Sequence, residues 1–294
     1  MPVLDWQAAL QTEFPGEQRG SRTFPACANP RCASGRFHLW RKRRVPVVEG
    51  GWLCSPACTR ARVEELLRRE LAQANPASSH RHRIPIGLVL LTQGWITHEQ
   101  LRQALKAQRE GSGMRVGEWL VAHQGLDEAR LTQALGIQWN CPVFRLDRNG
   151  DDSAMTAVPR LLSESFGFVP LRLTSTGILY LAFEDRIDHS IALAIERITN
   201  LRVECGLLSG TDFQKAQGRI LQGHFPRTRM IEAESFDLLA GALVSHIEKS
   251  KPAESRLVRV RDLFWLRLWN RMEGPASAQP GEAQDIVASI VQFK

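Results

Sequence analysis

Four cysteines in two close pairs are the residues whose types and spacing point most directly to chemistry. Cys27 and Cys32 are separated by four residues (CANPRC), and Cys54 and Cys58 are separated by three (CSPAC). Each pair can form a knuckle, and 21 residues between the pairs are enough to bring the two knuckles around one tetrahedral Zn²⁺ ion. The spacing therefore predicts a structural zinc site. Two disulfides or four unligated core thiols are the alternatives.

A basic run lies between the two cysteine pairs. It consists of Arg41, Lys42, Arg43 and Arg44, and it follows Trp40. Basic residues beside an aromatic ring are typical of nucleic-acid contacts, which makes the run a candidate nucleic-acid surface. A solvated loop with its charges in water is the alternative interpretation.

A 24-residue unit occurs twice further along the chain, from Pro85 to Gln108 and from Arg115 to Gln138. A repeat of glycine, leucines and a closing glutamine at fixed offsets predicts a pseudo-symmetric pair of helical hairpins. Such a pair suits a ligand with two similar halves. The identical positions are Gly87/Gly117, Leu90/Leu120, Leu101/Leu131, Gln103/Gln133, Ala104/Ala134, Leu105/Leu135 and Gln108/Gln138, and Ile86/Val116 match in character.

Composition limits the class of protein. The chain has 294 residues, a formal charge of +7 and 43% hydrophobic residues, as expected of a globular protein with anionic partners. No apolar run approaches the roughly 20 residues that a membrane span needs. The N-terminus lacks the long apolar stretch of a secretory signal. Cysteines in metal-like spacing favour a reducing compartment, so we expect a cytoplasmic protein.

The pattern of elements predicts an α+β fold in several units. These are a zinc-binding module with a trailing helix (1–75), a linker (76–82), the paired helical hairpins (83–140) and an α-β-β-α-β-α subdomain (141–225). A C-terminal helical segment (226–272), with one helix at about Phe236–Lys249, and a flexible tail (273–294) are predicted to follow. Within that segment, Leu263–Trp269 (LFWLRLW) is interpreted as core packing, with a partner-docking helix as the alternative.

The doubled unit resembles the MshEN domain, which is the N-terminal domain of type II secretion and type IV pilus assembly ATPases. The resemblance covers residues 83–221, including the α-β-β-α-β-α segment, and does not reach the cysteines or the last seventy residues. It implies cyclic di-GMP as the ligand, with one copy of the motif for each half of this symmetric dinucleotide.

The resemblance also implies which residues bind the nucleotide. The glycines would let the ligand approach the helix starts, the glutamines would pair with base edges, and the leucines would form an apolar wall. Arg115 would hydrogen-bond guanine or phosphate, Arg83 would be a second cation, and Asp185 would accept the guanine N1–H and N2–H. The complete implied set is Arg83, Ile86, Gly87, Leu90, Leu101, Leu105, Gln108, Arg115, Val116, Gly117, Leu120, Leu131, Leu135, Gln138 and Asp185.

Two departures from the family pattern bear on binding. Pro85 stands where the family has arginine, which removes one charge-assisted contact of about 1.5–3 kcal/mol. Gln124 stands where the family has glycine, although Gly125 follows it and can serve the same turn. Leucines at this spacing also pack helical hairpins when no ligand binds, so an ordinary core is the alternative.

No catalytic motif is evident. The chain lacks the phosphate-binding loop of the ATPases and the common hydrolase and metalloprotease motifs. His189 with Asp185 and Asp188 is read more simply as a helix cap than as an acid–base group.

Three functional hypotheses follow. The first is a non-enzymatic, nucleotide-sensing adaptor that binds cyclic di-GMP and acts on a secretion or pilus protein. The second is a zinc-dependent nucleic-acid-binding regulator. The third is a scaffold component of such a system with no ligand.

Overall fold

The computed structural model describes residues 26–32, 45–73, 83–111, 113–146, 153–220, 222–270 and 283–291. Within these ranges the fold mixes ten helices with three small sheets, which confirms the predicted α+β class. In the described part of the chain, no helix is both long enough and apolar enough to span a membrane. The basic run from Arg41 to Arg44 lies outside the described residues.

The N-terminal part is a small hairpin followed by a helix. Strands β1 (Val47–Val48) and β2 (Gly51–Trp52) pair antiparallel, and helix α1 spans Pro56–Ala72. Helix α1 begins after Ser55 because the Ser55 hydroxyl accepts the backbone N–H of Cys58 at 3.3 Å, and proline is favourable in the first turn.

The repeat forms two helical hairpins, as predicted. Helices α2 (Ile86–Thr92) and α3 (His98–Arg109) form the first hairpin, and α4 (Val116–Gln124) and α5 (Glu128–Trp139) form the second. Gly125 ends α4 in the left-handed conformation (φ 65°), so it takes over the turn that Gln124 cannot make.

The α/β subdomain has the predicted α-β-β-α-β-α order from α7 onward, preceded by one short helix, α6, that was not predicted. Its sheet has the order β3-β4-β5, in which β3 and β4 are antiparallel and β4 and β5 are parallel, so that α8 is the crossover between them. The elements are α6 (Ser153–Thr156), α7 (Arg160–Phe166), β3 (Phe168–Leu173), β4 (Ile178–Phe183), α8 (His189–Thr199), β5 (Arg202–Leu207) and α9 (Gly210–Ile220). Asp188 caps α8 by accepting the Ser190 N–H at 3.0 Å, which is the role expected from the sequence.

The C-terminal part corrects the prediction of a helical segment and a flexible tail. Within the described ranges 222–270 and 283–291, α10 (Phe236–Ser250) is the one helix. The other elements are strands β6 (Arg227–Ala233), β7 (Glu254–Val260), β8 (Leu263–Trp269) and β9 (Ala283–Ile290). They form one C-terminal sheet of order β6-β9-β8-β7, in which the predicted tail supplies an inner strand.

Burial of both sheet faces explains this error. Strand β8 is buried from Phe264 to Trp269 without alternation, because apolar layers cover it on both sides. A strand buried on both faces has a continuous apolar run instead of a period of two, and such a run resembles a buried helix in sequence. The docking-helix interpretation of Leu263–Trp269 is therefore wrong.

The C-terminal sheet lies between the N-terminal part and the α/β subdomain and contributes one face to the core of each. One face packs against α1 and α10 together with the cysteine cluster, and the other packs against the α/β subdomain. At the junction, Glu70 of α1 is only 1% exposed and accepts both the Arg197 guanidinium of α8 (2.5 Å) and the Arg259 N–H of β7 (3.0 Å). Burial favours a higher pKa for Glu70, but these contacts lower it below the usual value, so the carboxylate stays charged.

Candidate metal and nucleotide sites

The four predicted cysteines come together at the start of α1. Their sulfurs all lie within 4.8 Å of one another, and the Cys32–Cys54 and Cys54–Cys58 Sγ separations are both 3.5 Å. All four cysteines are free in this structure, and neither of these two pairs is at the roughly 2.0 Å of a disulfide bond. Zn–S bonds of about 2.3 Å in a tetrahedron separate the sulfurs by about 3.8 Å, so the cluster fits a zinc ion.

The surroundings of the sulfurs also fit a metal site. Burial and the hydrogen bonds with Cys32 and Cys58 raise the pKa of the Cys54 thiol to about 12. Burial tends to raise the pKa of Cys58 too, but hydrogen bonds from Ser55 and Asn29 lower it to about 7. Without a cation, a pKa of about 12 keeps the Cys54 thiol protonated. Coordination by a cation would replace its proton and hold the clustered sulfurs together as thiolates.

Each repeat glycine is needed for packing within its own hairpin. A Cβ placed on Gly87 would lie 2.6 Å from Leu101 Cδ1, and a Cβ placed on Gly117 would lie 2.6 Å from Leu131 Cδ1. The two hairpins therefore close in the same way, which gives the sequence repeat a structural basis. This requirement exists whether or not a ligand approaches the glycines.

Replacing Gly87 or Gly117 by alanine should destabilise the protein by about 1–3 kcal/mol through overpacking. We expect nearly equal losses from the two variants, because the two contacts are equivalent. Urea unfolding of each variant checks this, with Gly218→Ala on α9 as the control, since a Cβ there meets nothing within 4 Å. If only one of the two glycine variants loses stability, the two glycine–leucine contacts are not equivalent.

The apolar positions of the repeat divide between the hairpin core and the surface. Leu90 and Leu120 are fully buried, Leu105 is exposed, and Leu135 packs against the α/β subdomain. The hairpin core also contains Ile86, Leu101, Val116 and Leu131. Leu90, Leu101, Leu120 and Leu131 therefore all pack in the hairpin core in this structure.

Arg115 and Asp185 meet although seventy residues separate them in sequence. The Arg115 guanidinium forms an ion pair with the Asp185 carboxylate, at the junction between α4 and the loop after β4. Their side chains are 69% and 35% exposed, so both can be reached from solvent. Arg115 also precedes α4 as its N-cap residue, where its backbone N–H donates to Glu118 Oε2 at 3.0 Å.

The first motif lacks an equivalent of this arginine. Pro85 occupies the same N-cap position before α2 and offers no side-chain hydrogen bond. Arg83 stacks on the Trp139 ring, with its Cζ atom 3.1 Å from the ring centroid. Gln138 donates its amide N–H to the Ile84 carbonyl at 2.7 Å, so the end of the second motif lies beside the start of the first. Gln108, the matching glutamine, is exposed at the end of α3.

The junction contains carboxylates that the sequence analysis did not single out. Glu128, at the start of α5, accepts the Thr211 N–H (2.9 Å) and hydroxyl (2.7 Å) at the start of α9. Glu184 also lies there, since a Cβ on Gly210 would be about 3 Å from both glutamate side chains. These contacts hold the second hairpin to the α/β subdomain. An acidic residue after a capping aspartate was the only sequence signal, and it is too common to be diagnostic.

A surface hollow of about 640 Å³ opens beside the end of α5, but it does not include Arg115 or Asp185. It is lined by Gln93, Trp95, Gln133, Gly136, Ile137, Asn140, Cys141, Pro142 and Val143. The geometry thus brings together one predicted arginine and the predicted aspartate.

Comparison with known proteins finds partial likenesses among solved structures. A structure of MshE with cdg is 24% identical and has a TM-score of 0.40, covering 47% of this chain and 99% of that one. The N-terminal domain of XpsE is 19% identical with a TM-score of 0.34, covering 46% of this chain and 92% of that one. No protein-family profile and no curated protein matches the chain. The function of this chain is therefore argued from its own repeat and geometry.

Proposed function

We propose that the chain is a non-enzymatic adaptor that binds cyclic di-GMP where the second hairpin meets the α/β subdomain. The observation that supports this most strongly is the ion pair between Arg115 and Asp185. The motif resemblance names both residues as ligand contacts, and the fold brings them within reach of one guanine base. A purely structural repeat would not require an arginine and an aspartate to meet at an exposed junction.

Guanine has the donors and acceptors that would satisfy both members of this pair. Its N1–H and N2–H groups can donate to the Asp185 carboxylate, while its O6 and N7 atoms, or a phosphate, can accept from Arg115. Because the pair is exposed, breaking it costs only about 0–1 kcal/mol. Breaking the ion pair therefore subtracts little from the free energy of ligand binding.

The two halves of the site are expected to contribute unequally. The second motif supplies Arg115, whereas the first has Pro85 at the same position. We therefore propose that one guanine is held mainly by the second motif and Asp185. The other guanine would be held more weakly, with contacts from Arg83 or the exposed Gln108.

Ligand binding at this junction would shift the hairpins relative to the α/β subdomain. Such a shift requires the ligand to bind one arrangement better than the other. Helix α8 of the subdomain is tied to α1 through Arg197 and Glu70, so the change could reach the zinc site and the C-terminal sheet. A secretion or pilus assembly protein as the recipient is proposed from the motif resemblance alone.

Replacing Arg115 or Asp185 by alanine should weaken cyclic di-GMP binding about 10- to 100-fold, the loss expected for one charge-assisted contact. Fluorescence or calorimetric titration of each purified variant measures this. Arg160→Ala is the control, because Arg160 is also an exposed, ion-paired arginine but lies on α7. We expect the control to bind as the unaltered chain does.

Two outcomes would contradict the proposal. If neither variant binds more weakly than the control, the ligand does not use this junction. If the unaltered, folded chain does not bind cyclic di-GMP, the repeat is a scaffold without a ligand.

A further inference from the structure

Strand β6 is the outermost strand at one edge of the C-terminal sheet. At the opposite edge, the segment around β1 covers β7: the Val47 N–H donates to the Pro252 carbonyl (3.2 Å) and the Glu49 N–H to the Ser255 carbonyl (2.8 Å). Among the described residues, no strand pairs with the outer side of β6. An open edge offers a row of unpaired backbone groups on which another strand can form.

The backbone groups that point outward from β6 can be identified. The Ala233 carbonyl points inward, because it accepts the Val291 N–H at 2.9 Å. Since the backbone alternates along a strand, the N–H and C=O groups of Thr228, Met230 and Glu232 point outward. Met230 lies at the centre of these three residues, and it is 51% exposed.

Charge is distributed unevenly along this edge. Arg227 and Arg229 lie at the start of β6, and Glu232 and Glu234 lie at its end. Helix α10, which packs on β6, has the same polarity: Asp237 is in its first turn, and His246 and Lys249 are in its last turns. Burial, and then the charges of Arg229 and Lys249, lower the pKa of His246, which shows that these basic groups lie together.

We propose that β6 pairs antiparallel with β6 of a second copy of this chain, with Met230 opposite Met230 of the second copy. This interaction is separate from the proposed nucleotide site. The pairing joins two four-stranded sheets into one continuous sheet around a twofold axis. On the sheet face that α10 covers, the antiparallel arrangement brings Arg227 and Arg229 of each copy toward Asp237 at the start of α10 of the other copy, so this face of the edge is complementary to itself. Glu232 projects from the opposite face.

The hydrogen bonds and the charges select this register. With Met230 at the axis, Thr228 lies opposite Glu232, and all three outward residues pair, giving about six backbone hydrogen bonds. No residue then faces one of the same charge. A register centred on Arg229 sets two arginines opposite each other, which is unfavourable, and one centred on Ile231 pairs only two of the three outward residues.

Sedimentation velocity of the full chain with charge variants at residue 230 tests the proposal. The unaltered chain is expected to dimerise as its concentration rises. Met230→Lys and Met230→Glu should each be monomeric, because each places like charges together at the twofold axis. An equimolar mixture of the two variants should recover the dimer, since only this register puts residue 230 opposite itself.

Three results would overturn the inference. The first is a monomeric unaltered chain at all concentrations, and the second is a dimer that persists in both single variants. The third is a mixture that stays monomeric although the unaltered chain dimerises. Leu238→Lys is the control, because Leu238 is similarly exposed but lies on α10, outside β6. Circular dichroism of each variant establishes that it is folded.

Discussion

Arg267→Ala is expected to lower the free energy of unfolding by about 3–5 kcal/mol, because it leaves a buried carboxylate without its cation. Arg267 and Asp285 are both fully buried on neighbouring strands β8 and β9, with Arg267 Nε 3.2 Å from Asp285 Oδ1. Asp285 also accepts the indole N–H of Trp265 at 2.8 Å. Burial raises the pKa of Asp285, whereas the charge of Arg267 acts to lower it. The ionised form of Asp285 therefore depends on Arg267.

Arg267 also links the C-terminal sheet to the α/β subdomain. Its guanidinium donates to the Ala157 carbonyl and, at 2.5 Å, to the Thr156 carbonyl at the end of α6. Truncating the side chain therefore leaves these carbonyls without their donor as well as leaving Asp285 unpaired. The expected loss exceeds that of an ordinary surface ion pair for this reason.

Urea unfolding followed by tryptophan fluorescence measures the effect. The double variant Arg267→Met with Asp285→Val is the matched comparison, because it replaces both charged side chains by apolar ones that are closer to them in size. We expect it to be more stable than Arg267→Ala, as is common when a buried ion pair is replaced as a whole. If Arg267→Ala is as stable as the unaltered chain, the buried Arg267–Asp285 pair does not stabilise the fold.

Removal of zinc from the proposed four-cysteine site is the second change with a large expected effect. Structural zinc contributes an apparent 10–16 kcal/mol or so to the folding of small zinc modules, although a larger core retains part of its structure without it. The cysteine cluster shares its core with residues of α1 and of the C-terminal sheet, including Leu66, Phe264 and Ile286. We therefore expect zinc removal to destabilise the C-terminal sheet and not only the knuckles.

Cys58→Ser tests this through two measurements. The unaltered chain should contain one zinc per chain by elemental analysis and lose thermal stability on chelation, whereas Cys58→Ser should bind less zinc and melt at a lower temperature. Cys141→Ser makes the same chemical change at a partly buried cysteine outside the cluster, and it should keep its zinc. If the unaltered chain is equally stable without metal, zinc does not stabilise this fold.

Much of the fold follows from local patterns in the sequence. The repeat predicts two equivalent hairpins because its glycines and leucines recur at fixed offsets, and the matched contacts Gly87–Leu101 and Gly117–Leu131 give that pattern a physical cause. The cysteine spacing likewise predicts the cluster, because each knuckle closes within a few residues.

The remaining features depend on contacts between distant parts of the chain. Strands β8 and β9 are buried on both faces, so their apolar residues have no period that distinguishes a strand from a helix. The carboxylate contact of Glu128 with Thr211 joins elements more than eighty residues apart and has no sequence signature. The contact between Arg115 and Asp185 does not follow from their spacing, and the family resemblance implies only that each of them binds the nucleotide.

Calorimetric titration of the folded, zinc-loaded chain with cyclic di-GMP tests the central claim most directly, with GMP titrated in parallel. The account predicts saturable binding of one cyclic di-GMP per chain, with a Kd of about 1 µM or tighter and a much weaker response to GMP. Absence of binding to cyclic di-GMP, or equal affinity for GMP, would contradict a site built from two related halves.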